Sequence, residues 1–242
     1  MTTDGGTPST DRRPARRALL RRKSRETEVL VDLDLDPGKP SAEIDSGIGF
    51  LDHMLTSLAT HALWRLRLSC RGDLVVDDHH SAEDCGLALG EAFARAIAKG
   101  PAPRRFGCAH APLDEALARA VVDLSGRAYC RAETGLSGAR LGGLAGENVA
   151  HFFWSLASTA RMTLHIDVLA GDNAHHRAEA AFKALALALR EAGAVAGAAP
   201  GAGAESPAQS SAATGPESTK GSVLLEELDE AGWLRLKGGL DG

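Results

Sequence analysis

The sequence predicts an α+β protein made of two duplicated half-domains, each a β-sheet covered by helices. The pentad HHSAE at residues 79–83 returns as HHRAE at residues 175–179. Each copy stands at the head of an alanine- and leucine-rich run, which is typical of a buried helix. Each copy also follows a segment in which apolar and polar residues alternate, as in a half-buried strand. Repeated units of strand and helix favour sheets that are covered by helices.

The repeat extends upstream of both pentads. Residues 53–59 match residues 151–157 in spacing, because each segment begins with histidine and ends in Ser-Leu-Ala. Residues 64–68 and 162–168 then alternate apolar and polar, which predicts a strand in each copy. Each strand reaches a Gly-Asp turn. The predicted unit is therefore helix, strand, turn and helix, used twice.

The remaining segments differ in composition from the repeats. Thr27–Leu35 alternates and ends at Asp-Pro-Gly, which predicts a strand and a turn. A tract rich in Ala, Gly, Pro and Ser follows residue 192 and predicts a flexible linker, whereas the acidic and apolar stretch 223–236 is compatible with a short helix. We therefore divide the chain into a basic disordered arm (1–25), a first half-domain (26–110), a second half-domain (111–192), a linker (193–217) and a C-terminal segment (218–242).

The histidines and glutamates of the pentads predict a metal site. Residues three and four apart share one face of a helix, so Glu83 lies beside His79 and His80. Adjacent side chains diverge by about 100°, so one pentad can serve two ions. A solitary histidine on a helix is usually packed or solvated, but six of the nine histidines occupy matching places in the two copies. Imidazole together with carboxylate suits Mn, Fe, Co, Ni or Zn.

Composition limits the class of protein. The chain of 242 residues is 44% hydrophobic, which is enough for one substantial core, and its net charge of −5 gives no reason to expect nucleic-acid binding. No apolar run approaches the roughly 20 residues of a membrane span. The four cysteines form no CxxC pair and no secretory signal is present, which favours reduced thiols. We expect a cytoplasmic protein, or an organellar one if the basic arm is a transit peptide.

Several long motifs follow one another between about Arg25 and Gly221. In chain order they are Ser46-Gly-Ile-Gly-Phe-Leu-Asp-His53-Met-Leu, Gly72-Asp-Leu-Val-Val-Asp-Asp-His-His80-Ser-Ala-Glu83-Asp, Arg105-Phe-Gly, Pro112-Leu-Asp-Glu-Ala-Leu, Asp123-Leu-Ser-Gly-Arg127, the second pentad and Ser218-Thr-Lys-Gly221. In sequence and in order, these motifs resemble those of the imidazoleglycerol-phosphate dehydratase family. The resemblance implies a duplicated fold like domain 2 of ribosomal protein S5, and a hydro-lyase of L-histidine biosynthesis. It further implies a cubic homo-oligomer of 24 subunits, with two Mn²⁺ ions in each active site at subunit interfaces.

The implied reaction converts imidazole glycerol phosphate to imidazole acetol phosphate, and its chemistry suits these residues. The proton to be removed lies on a carbon beside the imidazole ring and is not acidic in the free substrate. Ring nitrogens bound to metal would give the ring imidazolate character, and the metal-bound imidazolate would help to expel the neighbouring hydroxyl. A dinuclear His/Glu site supplies Lewis-acid catalysis of this kind.

By the same resemblance, three roles are assigned to residues of this chain. The metal ligands would be His53, His79, His80, Glu83, His151, His175, His176 and Glu179. Glu26 would contact the substrate, and either Glu26 or Glu179 would transfer the proton. The further substrate and phosphate contacts, most of them cationic as a phosphate dianion requires, would be His61, Arg105, Arg127, Lys183, Ser218 and Lys220.

The chain departs from the family pattern in places, and two alternative functions stay open. Thr56-Ser57 stands where many members have Asp-Gln, Ala150 stands where members often have Glu, and the long linker separates Lys220 from the body. These departures keep open a paralogue without catalysis that acts as a metal-binding assembly subunit. A metal-dependent hydrolase is the second alternative, although the sequence has no HExxH motif.

Overall fold

The computed structural model describes residues 15–196 and 222–240, which form two main sheets, a two-stranded ribbon and five helices. None of these helices is long and apolar enough to cross a bilayer. The strands are β1 Arg17–Lys23, β2 Thr27–Asp34, β3 Ser41–Asp45, β4 Arg65–Gly72, β5 Phe106–Leu113, β6 Ala116–Asp123, β7 Tyr129–Glu133, β8 Arg140–Leu141, β9 Leu144–Ala145, β10 Thr163–Ala170 and β11 Leu224–Glu227. The helices are α1 Gly49–Ala62, α2 His79–Ala98, α3 Gly146–Ala160, α4 Ala174–Gly193 and α5 Glu230–Leu240.

The two main sheets have the same construction. In the first, β1 and β2 form a hairpin, β4 pairs antiparallel with β2, and β3 pairs parallel with β4. The second repeats this arrangement with β5 and β6 as the hairpin, β10 next to β6, and β7 parallel to β10. The strand orders are β11-β1-β2-β4-β3 and β5-β6-β10-β7. The predicted α+β fold of two duplicated half-domains is confirmed.

The first long helix of each half-domain ends in the same way. Leu63 caps the C-terminus of α1 and Arg161 caps that of α3. Both residues adopt the left-handed backbone conformation, with φ of 61° and 53°. The residues that follow, Trp64 and Met162, each return a backbone N–H to a carbonyl of the helix. A strand begins directly after each of them. The predicted order of helix, strand, turn and helix is therefore present in both halves.

Helices of opposite half-domains pack against each other, α2 against α3 and α1 against α4. The first pair comes very close. A Cβ atom on Gly86 would lie 2.8 Å from the carbonyl oxygen of Phe152, and one on Gly90 would lie 2.3 Å from that of Leu156. Because glycine has no Cβ atom, the two backbones can meet there, and buried residues of both half-domains form one hydrophobic core.

The C-terminal strand and helix cover the edge and outer face of the first sheet, where β11 pairs with β1. The fully buried carboxylate of Asp32 accepts hydrogen bonds from Arg17 and Arg67, at 2.6 and 2.8 Å. Glu230, at the start of α5, forms ion pairs with the same two arginines. The buried ring of Trp233 lies 4.9 Å from the guanidinium carbon of Arg67. Residues 222–240 are therefore part of the folded body.

Two predicted boundaries in the body are wrong. The predicted disordered arm extends to residue 25, but β1 already pairs with β2 along its whole length, and its Ala18, Leu20 and Arg22 are buried. Arginine does not by itself indicate disorder, since its long stem packs on apolar neighbours while its guanidinium pairs with acids. The predicted division at residue 110/111 falls inside β5, which pairs with β6 over its full length. The second half-domain therefore begins no later than Phe106.

The C-terminal segment also differs from its prediction. The stretch 223–236, predicted as a short helix, contains β11 before α5 begins, because the edge of β1 offers unpaired backbone groups to residues 224–227. At the start of the predicted linker, Val195 forms a β-bridge with Pro103. Residues 1–14 of the arm, 197–217 of the linker and 218–221 lie outside the described residues.

Replacing Gly90 with alanine should destabilise the protein, although alanine is the better helix former by about 1 kcal/mol. The added methyl group would push α2 away from α3, and overpacking of this kind costs about 1–3 kcal/mol. Gly238→Ala is the matched control, because no atom lies within 4 Å of a Cβ atom at this position of α5. Urea denaturation measures both variants. The control reports the gain in helix propensity alone, so a free energy of unfolding that rises as much for Gly90→Ala as for Gly238→Ala would contradict the close helix contact.

Candidate metal centre

The first group of candidate ligands joins α1 to α4. His53 projects from α1, and His175 and Glu179 lie one turn apart on α4. The Nε2 atoms of both histidines lie 3.2 Å from Oε2 of Glu179, and the two imidazole rings are 5.4 Å apart. All three ligand atoms lie within 4.8 Å of one another. Two imidazole nitrogens and a carboxylate oxygen at this spacing could hold one divalent ion.

The second group joins α2 to α3. His79 and Glu83 lie one turn apart on α2, and His151 projects from α3. Nε2 of His79 is 3.8 Å and Nε2 of His151 is 3.9 Å from the carboxylate of Glu83, and the two imidazole rings stack at 4.5 Å. Nε2 of His151 is buried without a hydrogen-bond partner. Buried polar atoms normally have a partner, so this nitrogen is suited to a bound ion.

Each group therefore takes its ligands from both half-domains. The lead histidine of the first repeat, His53, meets the pentad of the second repeat, and the lead histidine of the second repeat, His151, meets the pentad of the first. The cause is the pairing of helices across the halves, α1 with α4 and α2 with α3. The duplication in the sequence predicts both sets of residues, but it does not predict this exchange.

The second histidine of each pentad lies outside both groups and binds a carboxylate. Nδ1 of His80 donates to Asp73 at 3.0 Å, and Nδ1 of His176 donates to Glu115 at 2.7 Å. An ionised carboxylate only accepts hydrogen bonds, so the proton of each neutral ring sits on Nδ1 and leaves the Nε2 lone pair available. The bond from His176 lowers the pKa of Glu115 to about 2 and, in turn, raises the pKa of His176.

A buried polar network orients His79 in a similar way. Nδ1 of His79 lies 2.9 Å from Oδ1 of Asn148, whose amide nitrogen donates to Asp78 at 2.7 Å. The backbone N–H of Ala145 donates to the same oxygen of Asp78. Burial would raise the pKa of Asp78, but these two donors outweigh it and lower the pKa. Neighbours of this kind set the ring orientation and tautomer of metal-binding histidines.

Two of the predicted phosphate contacts lie beside the first group. Nζ of Lys183 is 2.9 Å from Oε1 of Glu179, one turn away on α4. Burial would raise the pKa of Glu179, but the hydrogen bond and charge of Lys183 outweigh it, and the pKa falls. Burial lowers the pKa of His61, and the positive charge of Lys183 lowers it further. The structure therefore brings His61, Lys183 and Glu179 together.

The two arginines lie elsewhere in the chain. Arg105 binds Asp123 through two hydrogen bonds, at 2.7 and 3.3 Å, and its backbone N–H donates to the carbonyl of Ala192. Arg127 is exposed in the loop after β6. Ala192 is nine residues beyond Lys183 on α4 (192 − 183), which corresponds to about 14 Å along the helix axis. Within one chain, the backbone of Arg105 is therefore separate from Lys183.

Glu26 lies in the turn between β1 and β2, and Oε2 of its side chain is buried without a hydrogen-bond partner. Ser218 and Lys220 lie outside the described residues. Sequence reasoning missed the roles of Asp73 and Glu115. Both residues stand in motifs quoted above, the Gly-Asp turn and Pro-Leu-Asp-Glu, but only the folded chain shows that their carboxylates face His80 and His176.

Comparisons with known proteins point to one family. A model of the imidazoleglycerol-phosphate dehydratase family matches residues 46–189. An imidazoleglycerol-phosphate dehydratase of Candida glabrata is 48% identical over an alignment of 192 positions, which covers 72% of this chain and 91% of the relative. The crystal structure of the Staphylococcus aureus dehydratase is similar, with 36% identity, a TM-score of 0.65, and coverage of 73% of this chain and 99% of that one. The crystal structure of the Pyrococcus furiosus dehydratase has 38% identity and a TM-score of 0.63, and the match covers 73% of this chain and 94% of that one.

Loss of either glutamate should lower the metal content of the protein. Glu83→Ala and Glu179→Ala each leave a group with two imidazoles and no carboxylate, which binds a divalent ion less tightly. Each variant is stripped with a chelator, reloaded with Mn²⁺, desalted and measured by elemental analysis. Glu91→Ala is the control, because Glu91 lies farther along α2 and pairs with Arg95. If both glutamate variants keep the full metal content, these groups are not metal sites.

Proposed function

The chain belongs to the imidazoleglycerol-phosphate dehydratase family, and we propose that it catalyses the metal-dependent dehydration of imidazole glycerol phosphate to imidazole acetol phosphate. Membership of the family makes the protein a hydro-lyase of histidine biosynthesis. One observation carries the metal dependence. There are two His/His/Glu groups, each drawn from both half-domains, and within each group the three ligand atoms lie within 4.8 Å of one another.

The donor set fits two divalent transition-metal ions in each active site, and we propose Mn²⁺. His53, His175 and Glu179 would hold one ion, and His79, Glu83 and His151 the other. The unpartnered Nε2 atom of His151 supports this fit. When bound, such an ion supplies Lewis-acid polarisation of the substrate imidazole. Other divalent transition metals also suit imidazole and carboxylate.

We propose a homo-oligomer of 24 subunits in the cytoplasm, the assembly that the resemblance implies. Support comes from residues that one chain leaves apart. His80 and His176 contact their carboxylate partners through Nδ1 and lie outside both groups. Ala192, whose carbonyl binds the backbone of Arg105, lies nine residues (192 − 183) beyond Lys183 on α4. A neighbouring copy would bring these residues into one site. An organelle stays the alternative location if the basic arm is a transit peptide.

Glu26 is the better of the two candidates for proton transfer. Oε1 of Glu179 is occupied by Lys183, its Oε2 faces His53 and His175, and its pKa is lowered. A carboxylate held in this way suits a ligand more than a base. Glu26, by contrast, keeps a buried oxygen without a hydrogen-bond partner. That oxygen is available to accept a proton from the carbon beside the substrate ring.

The substrate phosphate requires cations, and we propose that two sets supply them. Lys183 and His61 lie beside Glu179, whereas Arg105, directly before β5, and Arg127, in the loop after β6, are exposed. Arg105 forms an ion pair with Asp123 in the free chain, and a phosphate dianion would compete with Asp123 for the guanidinium group of Arg105. Ser218 and Lys220 remain proposed contacts from the sequence motif.

Incubation of the purified protein with Mn²⁺ and imidazole glycerol phosphate tests the function against both alternatives. We expect imidazole acetol phosphate, detected by the absorbance of its enol and ketone forms, and we expect chelation to abolish turnover. Release of inorganic phosphate would instead indicate a hydrolase. Metal uptake without turnover would indicate a paralogue that has lost catalysis.

Glu26→Gln should slow the reaction, because an amide cannot accept the proton. Loss of a general base typically reduces the rate by about 10²- to 10⁴-fold. The expected loss is in kcat, with metal content unchanged, because Glu26 belongs to neither ligand group. Steady-state kinetics and elemental analysis measure the two effects separately. A kcat within about twofold of wild type would return Glu179 as the candidate for proton transfer.

A further inference from the structure

Asp84 is a fully buried carboxylate that the proposed chemistry does not use. It follows Glu83 on α2 and accepts hydrogen bonds from the side chains of Arg22, at 2.6 Å, and of Thr27. Ser24 donates a longer hydrogen bond to the same oxygen, at 3.4 Å. Burial of a carboxylate is costly unless charge and hydrogen bonds compensate it, and here Arg22 and two hydroxyl groups do so.

All three donors belong to the segment that carries Glu26. Arg22 lies near the end of β1, Ser24 lies in the turn, and Thr27 begins β2. Oγ of Ser24 also accepts the backbone N–H groups of Glu26 and Thr27, at 3.2 and 3.1 Å. The turn is therefore attached to Asp84 on both sides of Glu26 and is closed internally by Ser24.

The same helical turn of α2 carries two candidate metal ligands. His79 and Glu83 belong to the second group, while Ser81 and Asp84 are fully buried. A Cβ atom on Gly72, which pairs with Thr27, would lie 2.1 Å from Oγ of Ser81. The start of α2 therefore packs on the end of β4, beside the first residue of β2. Together with the bonds of Asp84 to Arg22 and Thr27, this contact links the position of the turn to that of the ligand helix.

The second half-domain provides an internal comparison. The pentad glutamate Glu179 is followed by Ala180 where Glu83 is followed by Asp84, and Ala180 is also fully buried. α4 nevertheless has the same length as α2 and presents its glutamate to a ligand group. The buried carboxylate is thus not needed to form a pentad helix. It occurs only in the half-domain whose hairpin turn carries Glu26.

We propose that Asp84, paired with Arg22, is a positioning residue that holds the Glu26 carboxylate in place relative to the ligand helix. This inference rests on the proposed role of Glu26 in proton transfer. Asp84 itself touches neither substrate nor metal in this account. Its effect on the reaction passes through the turn at residues 24–26, so removing it should matter only while a correctly placed carboxylate stands at Glu26.

The experiment is a double-mutant cycle in the complete, Mn²⁺-loaded protein. Asp84→Asn removes the charge, and Arg22→Met with Asp84→Ala removes both charges, so that one variant still folds if a lone buried arginine is not tolerated. Each is combined with Glu26→Asp, which keeps a carboxylate but moves it by one methylene. Asp32→Asn is the matched control, because Asp32 is also fully buried and paired with arginines, on the outer face of the same sheet.

With Glu26 present, we expect the Asp84 variants to lower kcat by roughly 10- to 100-fold, which is the effect of moving a catalytic group by about 1 Å. KM and metal content should stay within about twofold of wild type. In the Glu26→Asp background the same changes should lower kcat by less than about threefold, because the carboxylate is already displaced. Amide hydrogen exchange should speed up at residues 24–27 but not at residues 85–98. Asp32→Asn should change none of these.

The results that would contradict the role of Glu26 differ from those that would contradict the role of Asp84. If Glu26→Gln leaves kcat unchanged, the proposed role of Glu26 fails before Asp84 is considered. If Glu26→Gln is slow but the Asp84 variants lower kcat equally in both backgrounds, the coupling to Glu26 is absent and the positioning role is overturned. Unchanged kcat and unchanged exchange at residues 24–27 would overturn it as well.

Discussion

The candidate metal centre depends on one interaction, the packing of helices from opposite half-domains, in which α2 contacts α3 and α1 contacts α4. At Gly86 and Gly90 a single added carbon atom would collide with a carbonyl oxygen of α3. The contact brings His151 to the pentad of the other half-domain, while the pairing of α1 with α4 does the same for His53. Each ligand group is therefore a contact between half-domains, and the interior that joins the halves also assembles the candidate metal centre.

Carboxylate and amide groups next to the histidines decide which ring nitrogen is available. Asp73, Glu115 and Asn148 each lie within hydrogen-bond distance of an Nδ1 atom. A neutral imidazole has one donor and one acceptor nitrogen, so an acceptor at Nδ1 leaves Nε2 to bind elsewhere. The two halves reach this result with different elements. Asp73 follows β4, whereas Glu115 lies in the turn of the β5–β6 hairpin.

The two half-domains differ in the residues that surround their hairpin turns and pentad helices. The first carries Asp84, Arg22 and the Glu26 turn; the second carries Ala180 and the Glu115 turn. The first sheet also carries charges on its outer face, where α5 covers Asp32 and its arginines. One scaffold, used twice, therefore supports a ligand helix in both halves and the proton-transfer candidate in only one.

Much of this protein follows from the sequence by itself, because the signals are local or repeated. The period of two in residues 64–68 and 162–168 predicts strands, and the two HHxxE pentads predict ligand helices and metal chemistry. The basic composition is misleading for β1, because its arginines belong to a hairpin strand and the partner of Arg22, Asp84, is 62 positions away in the chain.

Tertiary structure alone decided how the ligands divide into groups. Spacing cannot show that His53 meets Glu179 and His151 meets Glu83, since these meetings depend on the packing of α1 on α4 and of α2 on α3. Nor can spacing show which carboxylate faces His176, or that Arg22 reaches Asp84. These are contacts between residues 61 or 62 positions apart in the chain. Which residues meet in these contacts is determined by how the helices and strands pack around the core.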